Sequence, residues 1–171
     1  MLFCQKEDIG RAAFRSLSSE RVADGFASSL LMPEYLFRPI ARRFTRIDFG
    51  AVEKIADVFD TSRTATAIRL VEAKYFVGCV VCHGLRGRKW FTLSPEVPDR
   101  WFPCQDLSSD SFAFNILFGS APEDRFPRKV GADAWFDCWG ADRYEVYEQT
   151  IRVGDGEILT LVRMDDPGML Q

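Results

Sequence analysis

The chain has 171 residues, a formal charge of −3, 47% hydrophobic residues, fifteen Phe and four Trp. That length suits one moderate domain or two small ones, with ample core material, and the acidic balance speaks against a surface given over to nucleic acid or anionic membrane. No apolar run reaches the length of a membrane span and no signal-peptide core opens the chain, so the expected protein is soluble and cytoplasmic, without a membrane partner.

Residues 1–18 have mixed polarity, with Ile9, Ala12, Ala13 and Leu17 loosely at helical spacing. The first strong element is Ser19 to Pro33, SERVADGFASSLLMP. Wound as a helix, Val22, Ala23, Phe26, Ala27, Leu30 and Leu31 fill one apolar arc. Arg21, Gly25 and Ser28 fall opposite, and Glu20 lands at the margin of the buried face. A carboxylate there is either a first-turn group favoured by the helix dipole or an inward ligand. Pro33 ends or sharply turns this helix.

Tyr35 to Phe49 follows, with Arg38, Arg42, Arg43 and Arg46 spaced among Phe37, Ile40, Phe44 and Ile47. This is a basic strip, read as a solvated helix face or as a surface for an acidic or nucleic-acid partner. From Ala51, Val52, Ile55, Ala56 and Phe59 recur at i, i+3, i+4 and i+7, the pattern of a short amphipathic helix. Asp60, Thr61 and Ser62 supply turn and N-cap chemistry before a second helix through Ile68 and Val71. Two short helices with a tight polar turn are helix-turn-helix-like. DNA reading would require Arg63, Thr64, Thr66 and Arg69 to face a major groove; alternatively the pair simply packs on the preceding helix.

The periodicity changes after Glu72, which divides the chain into a helical segment, 1–72, and an α+β segment, 73–171. Tyr75–Cys82 and Arg88–Leu93 read as strands about an HGLRG loop that carries His83. SPEVPDRWFP is a proline-punctuated connection. Ser111–Phe118, closed by Gly119, reads as a short helix. Ala132–Trp139, Tyr144–Val153 and Glu157–Met164 read as three further strands, the last two joined by Gly-Asp-Gly. Short turns imply a mostly antiparallel sheet covered by at least one helix. From Asp165 the chain reads as a loose tail. The amino-terminal helices are expected to pack on this sheet or on a second copy of themselves, as a homodimer.

Cys79-Val80-Val81-Cys82-His83 is letter for letter the C-x-x-C-H haem-attachment signature. In a strand, residues three apart point to opposite faces, which separates the thiols. A zinc ribbon would need a second close pair, and Cys104 and Cys138 are far apart in sequence. The pair therefore reads as two small buried strand residues. Five Cys close no disulfide framework and stay mostly reduced in the cytoplasm. Phosphate-binding loops of the G-x-x-x-x-G-K-S/T and G-x-G-x-x-G types are missing from the sequence. Trp90, Trp101, Trp135 and Trp139 line a pocket or fill the core.

Glu20, Ala23, Asp24, Phe26, Ala27, Leu30, Leu31, Met32 and Pro33 spell E-x-x-A-D-x-F-A-x-x-L-L-M-P, which closely resembles the helix following the zinc helix in the ImmA/IrrE family of metallopeptidases. F-D-T-S-x-x-T-A-x-A-I-R-L resembles the helices that come next in that family. K-W-F-T-L-S-P-E-V-P and A-D-A-W-F-D are more weakly similar to the carboxy-terminal, GAF-like domain of its longer members. The resemblance implies that Glu20 is the third zinc ligand, after two histidines of an upstream H-E-x-x-H. It also implies a regulatory role in the cleavage of repressor-type transcription factors. This sequence contains no H-E-x-x-H, and its single histidine is His83. A zinc protease needs three protein ligands and a general base. The expectation is therefore a regulatory chain without peptidase activity or a bound cofactor, zinc belonging to the full-length family. The resemblance further implies that the zinc helix would precede Met1.

Overall fold

A computed structural model describes residues 30–171; Glu20, and with it most of the expected 19–33 helix, lies outside the described residues. Three helices come first. Helix α1 spans Glu34–Ala41, with Pro33 as its N-cap. Helix α2 spans Phe49–Phe59; the Asp48 carboxylate caps it by accepting from the Ala51 amide. Helix α3 spans Arg63–Glu72 and is capped by Ser62. Residues 60–62 connect α2 to α3, and Asp60 takes the left-handed conformation that closes α2. The apolar positions at helical spacing are those that face inward: Val52, Ile55 and Ala56 on α2, and Ala67, Leu70 and Val71 on α3.

The remainder is a five-stranded antiparallel sheet: β1 Gly78–Gly84, β2 Gly87–Leu93, β3 Arg128–Gly131, β4 Glu145–Gly154 and β5 Glu157–Arg163. The strand order is β2-β1-β5-β4-β3. Two tight hairpins, turning at Leu85-Arg86 and at Asp155-Gly156, build β1–β2 and β4–β5. The fold is thus mixed α+β, and among the described residues no helix is long and apolar enough to cross a membrane.

Alternation along β1 divides the protein into two cores. Val80 and Cys82 join Leu159, Leu161 and Ile151 under α1–α3. Cys79 and Val81 join Ile158, Val162 and Val146 on the other face. There they lie beneath a short helix, α4 (Phe112–Leu117), and beneath Trp101, Trp135 and Phe136. The helices therefore pack on the sheet, and Gln149 ties the two together. Its Oε1 accepts from the Phe49 amide at 2.8 Å, while its Nε2 donates to the Asp124 carbonyl at 3.2 Å.

Three expectations are corrected. Ala132–Trp139 is not a strand: Ala132–Ala134 is a 3-10 turn, followed by a single bridge between Phe136 and Pro103. Trp135 and Phe136 are consecutive and both buried, which strict strand alternation over a half-buried sheet does not allow. The outer strand is instead β3, a short charged segment given its place by β4. The tail is also packed. Met169 is fully buried in a 3-10 turn over Pro167–Leu170, and its carbonyl accepts from Trp101 Nε1 at 2.5 Å. Finally, His83 is not in a loop but in β1, 1% exposed.

Candidate functional site

The site grows out of the β1–β2 hairpin. Gly87 adopts φ +105°, a conformation that side-chain-bearing residues rarely take, so the chain reverses over Leu85-Arg86 and β1 continues through His83 and Gly84. Opposite His83 the register slips: Cys82 pairs with Trp90 but His83 pairs with Arg88, leaving Lys89 as a bulge. Bulges re-aim neighbouring side chains and mark places where a sheet departs from plain packing.

The segment after β2 is pinned back across the hairpin. The Arg88 amide donates to the Gln105 carbonyl at 2.7 Å, and Gln105 Nε2 donates to the Arg88 carbonyl at 3.2 Å. The Arg88 guanidinium donates to the Pro103 carbonyl and lies over the edge-to-face pair of Phe91 and Phe102, 4.7 and 4.6 Å from their centroids. This clamp delivers Asp106 and Leu107 to the mouth of the hairpin. Helix α4 closes the other side. Ser111 caps it, accepting from the Phe114 amide at 3.2 Å, and Phe114 and Phe118 stand one turn apart with ring centroids 5.0 Å apart.

Between hairpin, segment and helix lies a cleft of about 310 Å³, lined by His83, the Gly84–Gly87 turn, Asp106, Leu107, Phe114 and Phe118. Neither nitrogen of His83 has a hydrogen-bond partner of good geometry among the described residues. Burial pushes the imidazole pKa down to about 4; the neighbouring Cys104 backbone opposes that shift and the Arg88 charge adds to it. His83 is therefore neutral at physiological pH, with the Cys104 backbone as its nearest hydrogen-bonding neighbour.

Behind His83 stands Trp135, edge to face at 5.9 Å between centroids. Its Nε1 donates to Glu148 Oε2 at 2.5 Å, and Glu148 Oε1 accepts from the Ala113 amide at 2.9 Å. Burial raises the Glu148 pKa, and the bonds from Trp135 and the first amides of α4 partly oppose it. Trp135 thus packs against the His83 ring on one side and is tied through Glu148 to the first turn of the helix that walls the cleft.

The residues singled out in the sequence fall elsewhere. Arg63 is exposed at the start of α3. Arg69 is mostly buried: its Nη2 bonds Glu34 Oε2 at 3.2 Å and its guanidinium lies over the Phe37 ring. Arg38, Arg42, Arg43 and Arg46 are all exposed. Cys79 and Cys82 are buried free thiols, one in each core. Of the tryptophans, Trp101 and Trp135 are core, Trp90 is partly buried, and Trp139 is 89% exposed. Among the described residues no three His, Cys, Asp or Glu side chains gather to hold a metal ion. The chain was also compared with protein-family models and with curated proteins, and it matches none of them.

The cleft was missed because HGLRG looks like a loop. The two glycines three apart, flanking Leu85-Arg86, are the signal that restricts the turn to two residues and leaves His83 in the strand.

Proposed function

We propose that this chain is a non-catalytic regulatory relative of the ImmA/IrrE metallopeptidases whose sheet half acts as a GAF-like sensor of a small molecule. The observation that carries the sensing role is the cleft itself, about 310 Å³, walled by Leu107, Phe114, Phe118 and the Gly84–Gly87 turn, with the buried His83 ring against it. A concave, mostly apolar cleft with a few polar groups at its edge is the usual form of a small-molecule site.

The antiparallel sheet with helices on one face and the cleft on the other supports a sensor architecture. β1 belongs to both sides: Val81 and His83 face the cleft side, while Val80 and Cys82 pack under the helices. A ligand that favours one arrangement of β1 would bias the helices behind it, and the partner they present to would be a repressor-type transcription factor.

Catalysis by zinc is not part of this proposal. Glu20 would be one ligand of three, and the sole histidine is sealed in the sheet rather than paired on a helix.

Thermal-shift screening of the 171-residue chain against small neutral and charged metabolites tests the sensing role. A saturable shift that disappears in His83→Ala supports it, and a chain that no compound stabilises overturns it. Tight stoichiometric zinc, lost in Glu20→Ala, would show the chain to be a metal protein instead.

A second, DNA-binding function is favoured by one observation, the exposure of Arg38, Arg42, Arg43, Arg46 and Arg63. Phosphate contacts would make affinity for duplex DNA fall steeply with salt. No binding at low salt, or binding indifferent to Arg63→Glu, removes that function.

A further inference from the structure

We infer that the outward face of α1 docks a short acidic amphipathic segment of a partner protein, whose carboxylates meet Arg38 and Arg42 and whose apolar side chains cover Tyr35. This surface lies on the helical half, apart from the cleft, and its role is independent of the sensing role.

Charge comes first. Arg38, Arg42, Arg43 and Arg46 crowd into residues 38–46 of a chain whose net charge is −3. All four are exposed, and none of their guanidinium groups has an ion-pair or hydrogen-bond partner among the described residues. Like charges left together repel one another, and an acidic partner relieves that repulsion.

Geometry then sorts them. Along α1, Tyr35, Arg38 and Arg42 recur at i, i+3 and i+7 and form one outward stripe, turned away from the buried Phe37 and Ala41. Tyr35 is 75% exposed and its neighbour Leu36 49%, so apolar surface stands beside the charge. Tyr and Arg are among the side chains most enriched where a few residues dominate a protein interface. The same corner already holds one carboxylate. Glu34 Oε2 accepts from Arg69 Nη2 at 3.2 Å, and Glu34 Oε1 accepts from the Tyr75 hydroxyl at 3.0 Å. The charges of Arg38 and Arg42 also reach Tyr75, opposing the rise that burial and Glu34 impose on its pKa. Glu34 thus answers Arg69 and leaves Arg38 and Arg42 to carboxylates from outside.

Other occupants fit less well. Residues 1–29 carry four basic and four acidic side chains, so they bring no surplus negative charge. A second copy docking by the same face would set arginine against arginine. Duplex DNA needs a long positive track, whereas α2 and the turn after it expose Glu53, Asp57 and Asp60. An anionic membrane takes up a helix by its apolar face, and in α1 that face, Phe37 and Ala41, is buried in the core.

The test is fluorescence anisotropy of the 171-residue chain with a labelled helical peptide bearing glutamates one turn apart beside Leu and Phe. The same peptide with Gln for Glu, a duplex DNA and phosphatidylserine-containing vesicles complete the set of probes. Saturable binding of the acidic peptide is expected, weakened about tenfold by Gln in the peptide or by Arg38→Gln with Arg42→Gln in the chain. Tyr35→Ser should weaken it too, while Arg63→Gln on α3 should leave it unchanged. These positions are exposed, so the variants should melt with the parent and a loss of binding reads the face itself. An acidic peptide that does not bind, or that binds Arg38→Gln with Arg42→Gln as well as the parent, removes the docking role. DNA or vesicles that bind more tightly than the peptide at the same salt overturn the partner class and assign these arginines to phosphate.

Discussion

Trp135 and Glu148 form a buried donor–acceptor pair, Nε1 to Oε2 at 2.5 Å, that joins the wall behind His83 to the first turn of α4. The carboxylate is fully buried and answers two donors at once, the indole and the Ala113 amide. Its ionisation state therefore bears on the helix that forms one side of the cleft.

Glu148→Gln leaves one acceptor for two donors and should cost about 1–3 kcal/mol. The pH dependence has a definite sign. Because burial raises the Glu148 pKa, the folded chain binds more protons than the unfolded one above the ordinary glutamate range. Stability is then full below that range and declines as pH rises towards the raised value. Asp124, also raised by burial, contributes in the same direction. Urea melts across pH should show this decline in the parent chain and a shallower one in Glu148→Gln. An equal slope in both would mean that Glu148 is not the titrating group.

His83 gives the opposite slope. Its folded pKa of about 4 lies below the ordinary 6.5, so the unfolded chain binds the extra proton between those values. Stability is full above pH 6.5 and is lost as pH falls towards 4, by about 3 kcal/mol over the window. His83→Phe should abolish this acid limb, read by the same melts. A variant as acid-sensitive as the parent would place the imidazole in water.

The four described cysteines should divide by exposure. Burial pushes the thiols of Cys79, Cys82, Cys104 and Cys138 up, and Cys79 and Cys82 are also sealed from reagent. Alkylation of native protein followed by peptide mass mapping should label Cys104 and Cys138 first, with Cys79 and Cys82 labelled only on unfolding. A Cys79–Cys82 disulfide in native protein would contradict their placement on opposite faces of β1.

Removing residues 167–171 should destabilise the chain by about 2–5 kcal/mol, because Met169 leaves a cavity and Trp101 Nε1 loses its acceptor. A lower melting temperature together with red-shifted tryptophan emission is expected. An unchanged melt would return the tail to the loose state its composition suggests.

Arg63 and Arg69 should separate in a stability assay. Arg63→Ala at an exposed helix start should change stability by less than about 0.5 kcal/mol. Arg69→Ala gives up Glu34 and the Phe37 ring and should cost about 1 kcal/mol. Thermal melts of the two variants distinguish these roles.

What the sequence determined by itself is everything governed by neighbours a few residues apart. Val52, Ile55 and Ala56 repeat with the helical period and are the buried face of α2. Ser62 stands where an N-cap is needed and caps α3. Gly154-Asp155-Gly156 turns β4 into β5, and the three-residue spacing of Cys79 and Cys82 sends them to different cores. Only the tertiary structure decided the features that depend on distant partners. Trp101 finds its acceptor 68 residues away, on a segment whose own composition carries no fold signal. Alternation in Ala132–Trp139 resembles a strand, yet Trp135 turns inward to Glu148 and the outer place in the sheet goes to β3. His83 looked like a loop residue because local polarity says nothing of what covers a strand end. Its burial follows from Trp135 and from the segment that Arg88 clamps across the hairpin. Periodicity is a short-range property of the chain; the cleft is made by contacts between segments that the chain order keeps apart.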